Sequence, residues 1–452
     1  MSLNGAMNIA LTGLLARQSA IQVVSGNVSN ATNPDYTRKT QQTSATSTGV
    51  LTTAVTRATD EALARDLLAY TSLAGQTAAQ STYMTKLSTL FGGTDSSATL
   101  ATAVEDFTSA WTVLQATPDS SAAQADVIAK ADALAAAINR VQTGIEDVDR
   151  QVQDATGAKV DEINDLLTRI DDLNTQVTAG KDIPGSTLEL EDQRDAAIRQ
   201  LAGLVDVKTI ARPDGGIAVF TSGGLTLVDQ SAVQLAYDGS NVTRAGDIQS
   251  LNANFRSGEL AGLLALRQAG TSSDAGTATI AELKAQVTAL ANMFTDTAAG
   301  TFGGAYDSAA TGAGELAGGF FVLTGSTLSV NAALLDGSAK LKQTAINGVT
   351  AALDASNRSI AVGGLSVAGK DYAGIAAAIT TGLTADTATV SSKAKLSDAT
   401  RTEAEARFAS SVGINMDAEL ANLQVLQNAY AASAKVIQAV NKLYDDLFAI
   451  MG

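Results

Sequence analysis

Between Pro118 and Pro184 the chain places an apolar residue at every third or fourth position, with no proline in the interval. Val127, Ala131, Leu134, Ile138, Val141, Ile145, Val148, Val152 and Ala155 alternate spacings of four and three, as a helix does when it buries one stripe. At Gly157 the stripe slips by one residue and resumes through Val160, Ile163, Leu167, Ile170 and Val177. Such a slip locally alters supercoiling in a long helix pair. A helix of this length fits an elongated bundle better than a compact catalytic domain. The chain has four prolines, Pro34, Pro118, Pro184 and Pro213, and each lies where a periodic pattern stops, because proline breaks a helix interior and disfavours helix in the residue before it.

Both chain ends carry matching stripes. Leu3, Met7, Ala10, Leu14, Ile21, Val24 and Val28 line one face of a predicted helix. Met416, Leu420, Leu423, Leu426, Tyr430, Ala434, Ile437, Val440, Tyr444, Leu447 and Met451 recur at a mean spacing of about 3.5, the coiled-coil value. A single stripe of this kind reads as an ordinary core helix. Two of them at opposite ends of one chain point to pairing with each other or with neighbours. Their charge supports this: the formal charge of the whole chain is −16, yet Arg17, Asp35, Arg38 and Lys39 at one end cancel Asp417, Glu419, Lys435, Lys442, Asp445 and Asp446 at the other. The acid surplus lies in the middle, as a solvated body between ends meant for burial.

Leu100, Val104, Phe107, Trp111 and Leu114 predict a short helix. From Val205 the texture changes: Val205 to Ile210 and Ile217 to Phe220 flank Asp214-Gly215, and Gly223-Gly224 precedes Leu225 to Val228, so two hairpins are expected. A helix is expected near 259–294, strands at Phe320 to Leu323 and Ile360 to Val367, and helix again from Tyr372 to Phe408. The fold class is mainly α with a β-rich insertion, elongated and multidomain. The expected division is a terminal coiled-coil domain (1–35 and 411–452), a helical bundle (36–183 and 370–410) and a β-rich outer domain (184–369).

There is no cysteine and no histidine, which removes the thiolate nucleophile, the imidazole base and nearly all zinc sites. No calcium loop or phosphate-binding glycine loop is present. No catalytic, cofactor-binding or metal-binding residue is assigned, and an enzyme would have to be a carboxylate-dependent hydrolase with two acids converging in a cleft. Asp192, Arg194 and Asp195 read as ion pairs within a helix. The negative charge argues against nucleic acid and anionic lipid as partners, and no apolar stretch reaches the length of a membrane span. The first charged side chain, Arg17, follows the N-terminal apolar stretch, the reverse of a secretory signal, so export is expected to leave the N-terminus in place.

Ser25-Gly26-Asn27-Val28-Ser29-Asn30-Ala31-Thr32-Asn33-Pro34-Asp35-Tyr36-Thr37-Arg38 resembles the Asn-rich segment that follows the first helix in the axial proteins of the bacterial flagellum. Val412-Gly413-Ile414-Asn415-Met416-Asp417-Ala418-Glu419 resembles their shared C-terminal segment. Phe107 to Leu134, Asp192-Gln193-Arg194-Asp195, and Gly258-Glu259 through Arg267 resemble, more narrowly, the hook-associated protein 1 family of the hook-filament junction. The match is weakest from Gly300 to Gly369, where longer members carry an outer domain. The motif residues are therefore Asn30, Pro34, Tyr36, Arg38, Asp192, Arg194, Asp195, Gly258, Glu259, Arg267, Gly413 and Asn415.

The resemblance implies an extracellular structural subunit whose terminal helices order on assembly as concentric coiled coils. Implied partners are further copies in a ring or short helical layer, the hook protein, a second junction protein on the filament side, and an export chaperone on the C-terminal helix. Hook, distal rod and filament subunits are the alternatives. The expected self-assembly residues are Leu3, Met7, Leu14, Ile21, Val24, Val28, Leu420, Leu423, Leu426, Ile437, Val440 and Leu447.

Overall fold

The computed structural model describes residues 3–92, 99–183, 185–268 and 279–451; Pro184 lies outside them. The chain begins with α1 (Leu3–Ser29), a hairpin of β1 (Lys39–Thr46) and β2 (Gly49–Arg57), α2 (Glu61–Leu90), α3 (Leu100–Ala116) and α4 (Ser121–Gly180). It continues through α5 (Leu188–Leu204) and five short strands: β3 (Lys208–Ala211), β4 (Ile217–Phe220), β5 (Thr226–Val228), β6 (Leu235–Tyr237) and β7 (Val242–Arg244). Next come α6 (Glu259–Arg267), α7 (Ile280–Thr295), α8 (Phe302–Asp307), β8 (Phe321–Thr324), β9 (Thr327–Val330), α9 (Ala332–Leu335) and α10 (Ile346–Asp354). The chain closes with β10 (Arg358–Val362), β11 (Leu365–Lys370), α11 (Tyr372–Val412) and α12 (Met416–Met451). The architecture is mainly α with small antiparallel sheets.

Two compact units form, one from residues 1–75, 159–258 and 397–452, the other from 76–158 and 259–396. These divisions differ from the boundaries expected at 35/36, 183/184, 369/370 and 410/411. The β-rich stretch, expected as one domain, contributes its first half to one unit and its second half to the other. The slip in α4 acquires a physical meaning here, because it coincides with the division at 158/159. Val127 to Val152 are buried in one unit and Val160 to Val177 in the other. Thr156 takes the seam position between them, fully buried, its hydroxyl donating to Val152 O at 2.6 Å. One stripe thus serves two cores.

In the unit built from 76–158 and 259–396, Phe107, Trp111, Phe294, Phe302, Tyr306, Phe320, Phe321 and Tyr372 form one aromatic cluster with centroids 4.7–6.5 Å apart. Most pairs meet edge to face, the arrangement favoured by the ring quadrupole. Tyr372 also fixes backbone: its hydroxyl accepts from Phe302 N at 2.9 Å and donates to Met293 O at 3.2 Å. Burial pushes the Tyr306 hydroxyl up to about 12. The helix expected near 259–294 is two helices, α6 and α7, with 269–278 outside the described residues. The strand expected at Ile360 to Val367 is a hairpin, since Gly363 and Gly364, with φ of +55° and +76°, supply the turn between β10 and β11.

In the unit containing both chain ends, β3, β4 and β5 form an antiparallel sheet and β6 pairs with β7, so the expected hairpins are present. Asparagines of α4 dock this region. Asn174 donates to Ile217 O and accepts from Ile217 N, both at 2.9 Å, and Asn164 does the same to Leu235 at 2.9 and 2.8 Å. Each side-chain amide substitutes for a neighbouring strand. Asn139 repeats the device on Leu328 of β9 within the other unit.

Replacing Asn174 by Leu orphans both Ile217 groups and should lower unfolding stability by about 1–3 kcal/mol for each group left unpaired; unchanged chemical denaturation would contradict this role. Phe107→Ala should cost about 3–5 kcal/mol, followed by the emission of Trp111, the sole tryptophan.

Candidate assembly surface

The two terminal helices lie antiparallel against each other. A Cβ on Gly13 would stand 3.8 Å from the Ser433 hydroxyl, and at the far end Tyr444 donates to Asn4 Oδ1. Ala10, Ala16, Val24, Leu426 and Val440 are buried in this unit. Of the remaining assembly residues expected from sequence, Leu3, Met7, Leu14, Ile21, Val28, Leu423 and Ile437 are half-buried, whereas Leu420 and Leu447 stay 48% and 45% exposed. A second line of large apolar side chains faces outward as well: Leu11 and Leu15 on α1, and Val425, Val436 and Leu443 on α12, while Phe448 is exposed on another face near the end of α12. The stripe reading missed these because the period identifies one seam, while these helices are apolar on more than one face.

Behind the pair lies a polar knot. Asn27, with no exposed surface, donates to Glu419 Oε2 at 3.1 Å and to Lys39 O at 2.9 Å. Its Oδ1 accepts from Lys39 N at 3.0 Å and from the Tyr36 hydroxyl at 3.2 Å. Glu419, 1% exposed, receives Arg38 Nε at 2.6 Å, and Arg38 N donates to Val412 O at 2.9 Å. Burial raises the Tyr36 hydroxyl above its ordinary value, against the pull of Lys39. Asn415 starts α12, its Oδ1 accepting from Ala418 N at 3.0 Å. Gly413 ends α11, where a Cβ would come within 2.3 Å of Ala409 O.

The knot continues into α5. Thr37 Oγ1 donates to Asp192 Oδ1 at 2.6 Å, Lys39 Nζ lies 3.5 Å from Asp192 Oδ2, and Arg57 bridges Asp192 (3.3 Å), Asp195 (2.7 Å) and Glu191 (2.8 Å). Asp192 and Asp195 therefore pair across elements, which corrects the expectation of ion pairs within one helix; the contact of Arg194 Nε with Asp195 at 3.8 Å is the weak remnant of that reading. Arg194 is buried and gives Nη1 to Gly215 O at 2.9 Å and Asn174 Oδ1 at 3.3 Å. The partners come from a hairpin that sequence reading left unassigned inside the bundle. Its signal was the run of β-branched Thr and Val around Thr48-Gly49.

A cavity of about 410 Å³ beside this cluster is lined by Arg57, Asp192, Arg194, Asp195, Ile198 and Phe408, among others. Burial pushes the Asp192 carboxyl above the usual aspartate range, opposed by the Thr37 hydroxyl, Lys39 and Arg57. In outline this is the cleft a carboxylate hydrolase would need. The oxygens of Asp192 are not free to act, however: Oδ1 already faces Thr37 Oγ1 and Arg57, and Oδ2 faces Thr37 N and Lys39. Among the described residues no three carboxylates gather to hold a metal ion.

The other motif residues lie at helix ends and turns. Gly258 adopts φ +92°, donates to Ser72 O at 2.8 Å, and would put a Cβ 2.4 Å from Leu204 O. Glu259 opens α6, and Arg267 closes it with Nε 2.7 Å from Asp149. Asn30 Nδ2 returns to Gly26 O at 2.9 Å to finish α1, while Pro34 is exposed in the turn that follows.

Residues 84–321 match the family model of the flagellar hook-associated protein FlgK helical domain, and residues 406–450 match that of the flagellar basal body rod FlgEFG protein C-terminal region. The flagellar hook-associated protein 1 of Escherichia coli (strain K12) is 29% identical over 285 residues, 58% of this chain and 52% of that protein. Its namesake in Bacillus subtilis (strain 168) is 24% identical over 271 residues, 55% and 52% respectively. The flagellar hook junction protein FlgK from Burkholderia pseudomallei aligns with a TM-score of 0.48 at 23% identity, covering 57% of this chain and 47% of that one. The chain spans about half the length of the curated relatives it matches. With the helical-domain match extending over more than half of its residues, the chain belongs to the family of the flagellar hook-associated protein FlgK.

Proposed function

We propose that this chain is a structural, non-enzymatic subunit of the bacterial flagellum at the junction between hook and filament, assembling through the outward face of its α1–α12 pair. The observation that carries this reading is the exposure of Val425 (63%), Leu443 (55%) and Leu15 (54%) on two helices already paired with each other, of which α1 has Arg17 as its one charged side chain. Burying one such side chain stabilises by about 1.5–3 kcal/mol. A helix pair without neighbours leaves that stabilisation unrealised, and further copies of the same surface supply it. Contiguous exposed apolar patches of this kind mark interaction sites.

In this reading the residues nearest the α1–α12 seam, Leu14, Ile21, Leu423, Leu426, Ile437 and Val440, hold the pair together, and Leu420, Leu447 and the outward line meet neighbouring subunits. The copies form a ring or short helical layer between the hook protein and a second junction protein on the filament side. Outside the cell the surface is covered by assembly; before export a chaperone on α12 covers it. The absence of His and Cys, together with an Asp192 whose oxygens are already occupied, supports a role without catalysis. The acidic remainder of the chain keeps the subunit soluble.

Val425→Asp with Leu443→Asp changes only exposed positions, so helicity by circular dichroism should be preserved while incorporation into flagella is lost. Cells carrying that variant, like cells lacking the gene, should make hooks without filaments and release flagellin into the medium. Normal filaments in the double variant would refute assembly through this face.

A further inference from the structure

The apolar seam between α1 and α12 is poor in information. Its buried members are Ala10, Ala16, Val24, Leu426 and Val440, and alanines recur at Ala6, Ala20, Ala429, Ala434 and Ala439. On α1 a slide by one turn exchanges Ala6 with Ala10, Ala16 with Ala20 and Val24 with Val28, so the small residues of that helix do little to fix one register. Yet three contacts align a single antiparallel register along the pair: Asn4 with Tyr444, Gly13 with Ser433, and Asn27 with Glu419. Only the last is fully withdrawn from water on both sides. A buried carboxylate tolerates no register in which its partners are missing, because an unmatched buried charge costs far more than an imperfect apolar contact. A single buried polar contact is the device by which helix pairs select one register among near-equal alternatives.

We infer that Glu419, matched by Asn27 and Arg38, is the positioning residue that sets the register of the terminal helix pair. It thereby decides which apolar side chains face neighbouring subunits. Asn27 ends α1 and is held from the other side by Lys39 N, Lys39 O and Tyr36, so it cannot follow a sliding helix. Arg38 is likewise tied to the end of α11 through Val412 O. Asn27, in the last turn of α1, is tied to Tyr36 and Lys39, Arg38 belongs to that same following segment, and α12 must bring its carboxylate to both. Alignment of the outward line of Val425, Val436 and Leu443 with Leu11 and Leu15 follows from that one match. The inference bears on the proposed assembly role, but its test is read on the free chain and does not depend on incorporation.

The chain has no native cysteine, so engineered pairs report register without background. Gly13→Cys combined with Ser433→Cys should form a disulfide under mild oxidation, because a Cβ at 13 lies 3.8 Å from the 433 side chain. Gly13→Cys with Ala429→Cys or Ile437→Cys, one turn to either side, should crosslink about tenfold less. Adding Glu419→Leu should erase that preference and raise the offset crosslinks, while Glu419→Gln, which keeps an acceptor for Arg38, should retain it. Circular dichroism of each variant separates slippage from unfolding. Equal crosslinking of all three pairs with Glu419 in place would overturn the inference. A preference unchanged by Glu419→Leu, or lost only together with helicity, would do so as well.

Discussion

Asn27 and Glu419 meet out of contact with water where the first helix ends and the last begins, and much of the unit around them follows from satisfying that contact. A buried carboxylate needs donors on every side. Arg38 and Asn27 supply them only if the loop after α1 folds back, which places Tyr36 and Lys39 against Asn27. Thr37 and Lys39 then present their donors to Asp192, and Arg57 at the end of the hairpin completes the set by spanning Asp192, Asp195 and Glu191. A chain of matched charges thus runs from α12 through α1 and the β1–β2 hairpin to α5. Of the residues that family resemblance marks as a motif, Tyr36, Arg38, Asp192 and Asp195 stand in this chain of contacts.

The same economy of apolar surface explains the polar devices elsewhere. Only 19 aromatic residues occur in 452 (10 Phe, 8 Tyr and 1 Trp), and eight of them gather in one cluster around Phe107 and Phe302. The unit containing the chain ends has no such cluster among its described residues, and its helices are rich in alanine. There the amides of Asn164 and Asn174 read strand backbone directly, so that hydrogen-bond geometry supplies specificity that bulk would supply in a larger core. Asn139 carries the same amide docking into the other unit, so in α4 the device runs along the whole helix and the aromatic cluster is added on one side of Thr156.

Helices were the legible part of the sequence. α1, α3, α4 and α12 follow from the three-and-four spacing of their apolar residues, and the one-residue slip in α4 marks where the helix changes cores. The β1–β2 hairpin was hidden because its Thr, Ser and Gln carry no apolar alternation. Polar matching was the least legible of all. Asn27 and Glu419 stand three residues from Val24 and Met416, at seam spacing, which is a faint signal of a buried polar pair. No spacing rule announces that Asp192 will meet Arg57 from a distant hairpin. Nor can a period say which of several apolar faces on α12 a partner helix will take, since that is decided by α1.

Assembly through the outward apolar face of the α1–α12 pair is the claim on which the functional account depends, and solvent access at that face tests it most directly. In a chain without cysteine, Val425→Cys and Leu443→Cys can each be labelled with a maleimide in the free subunit and in intact flagella. The account predicts rapid labelling in the free subunit and strong protection in the flagellum, at both positions. Equal labelling rates in the two states would show that the face stays open to water after assembly, and would contradict it.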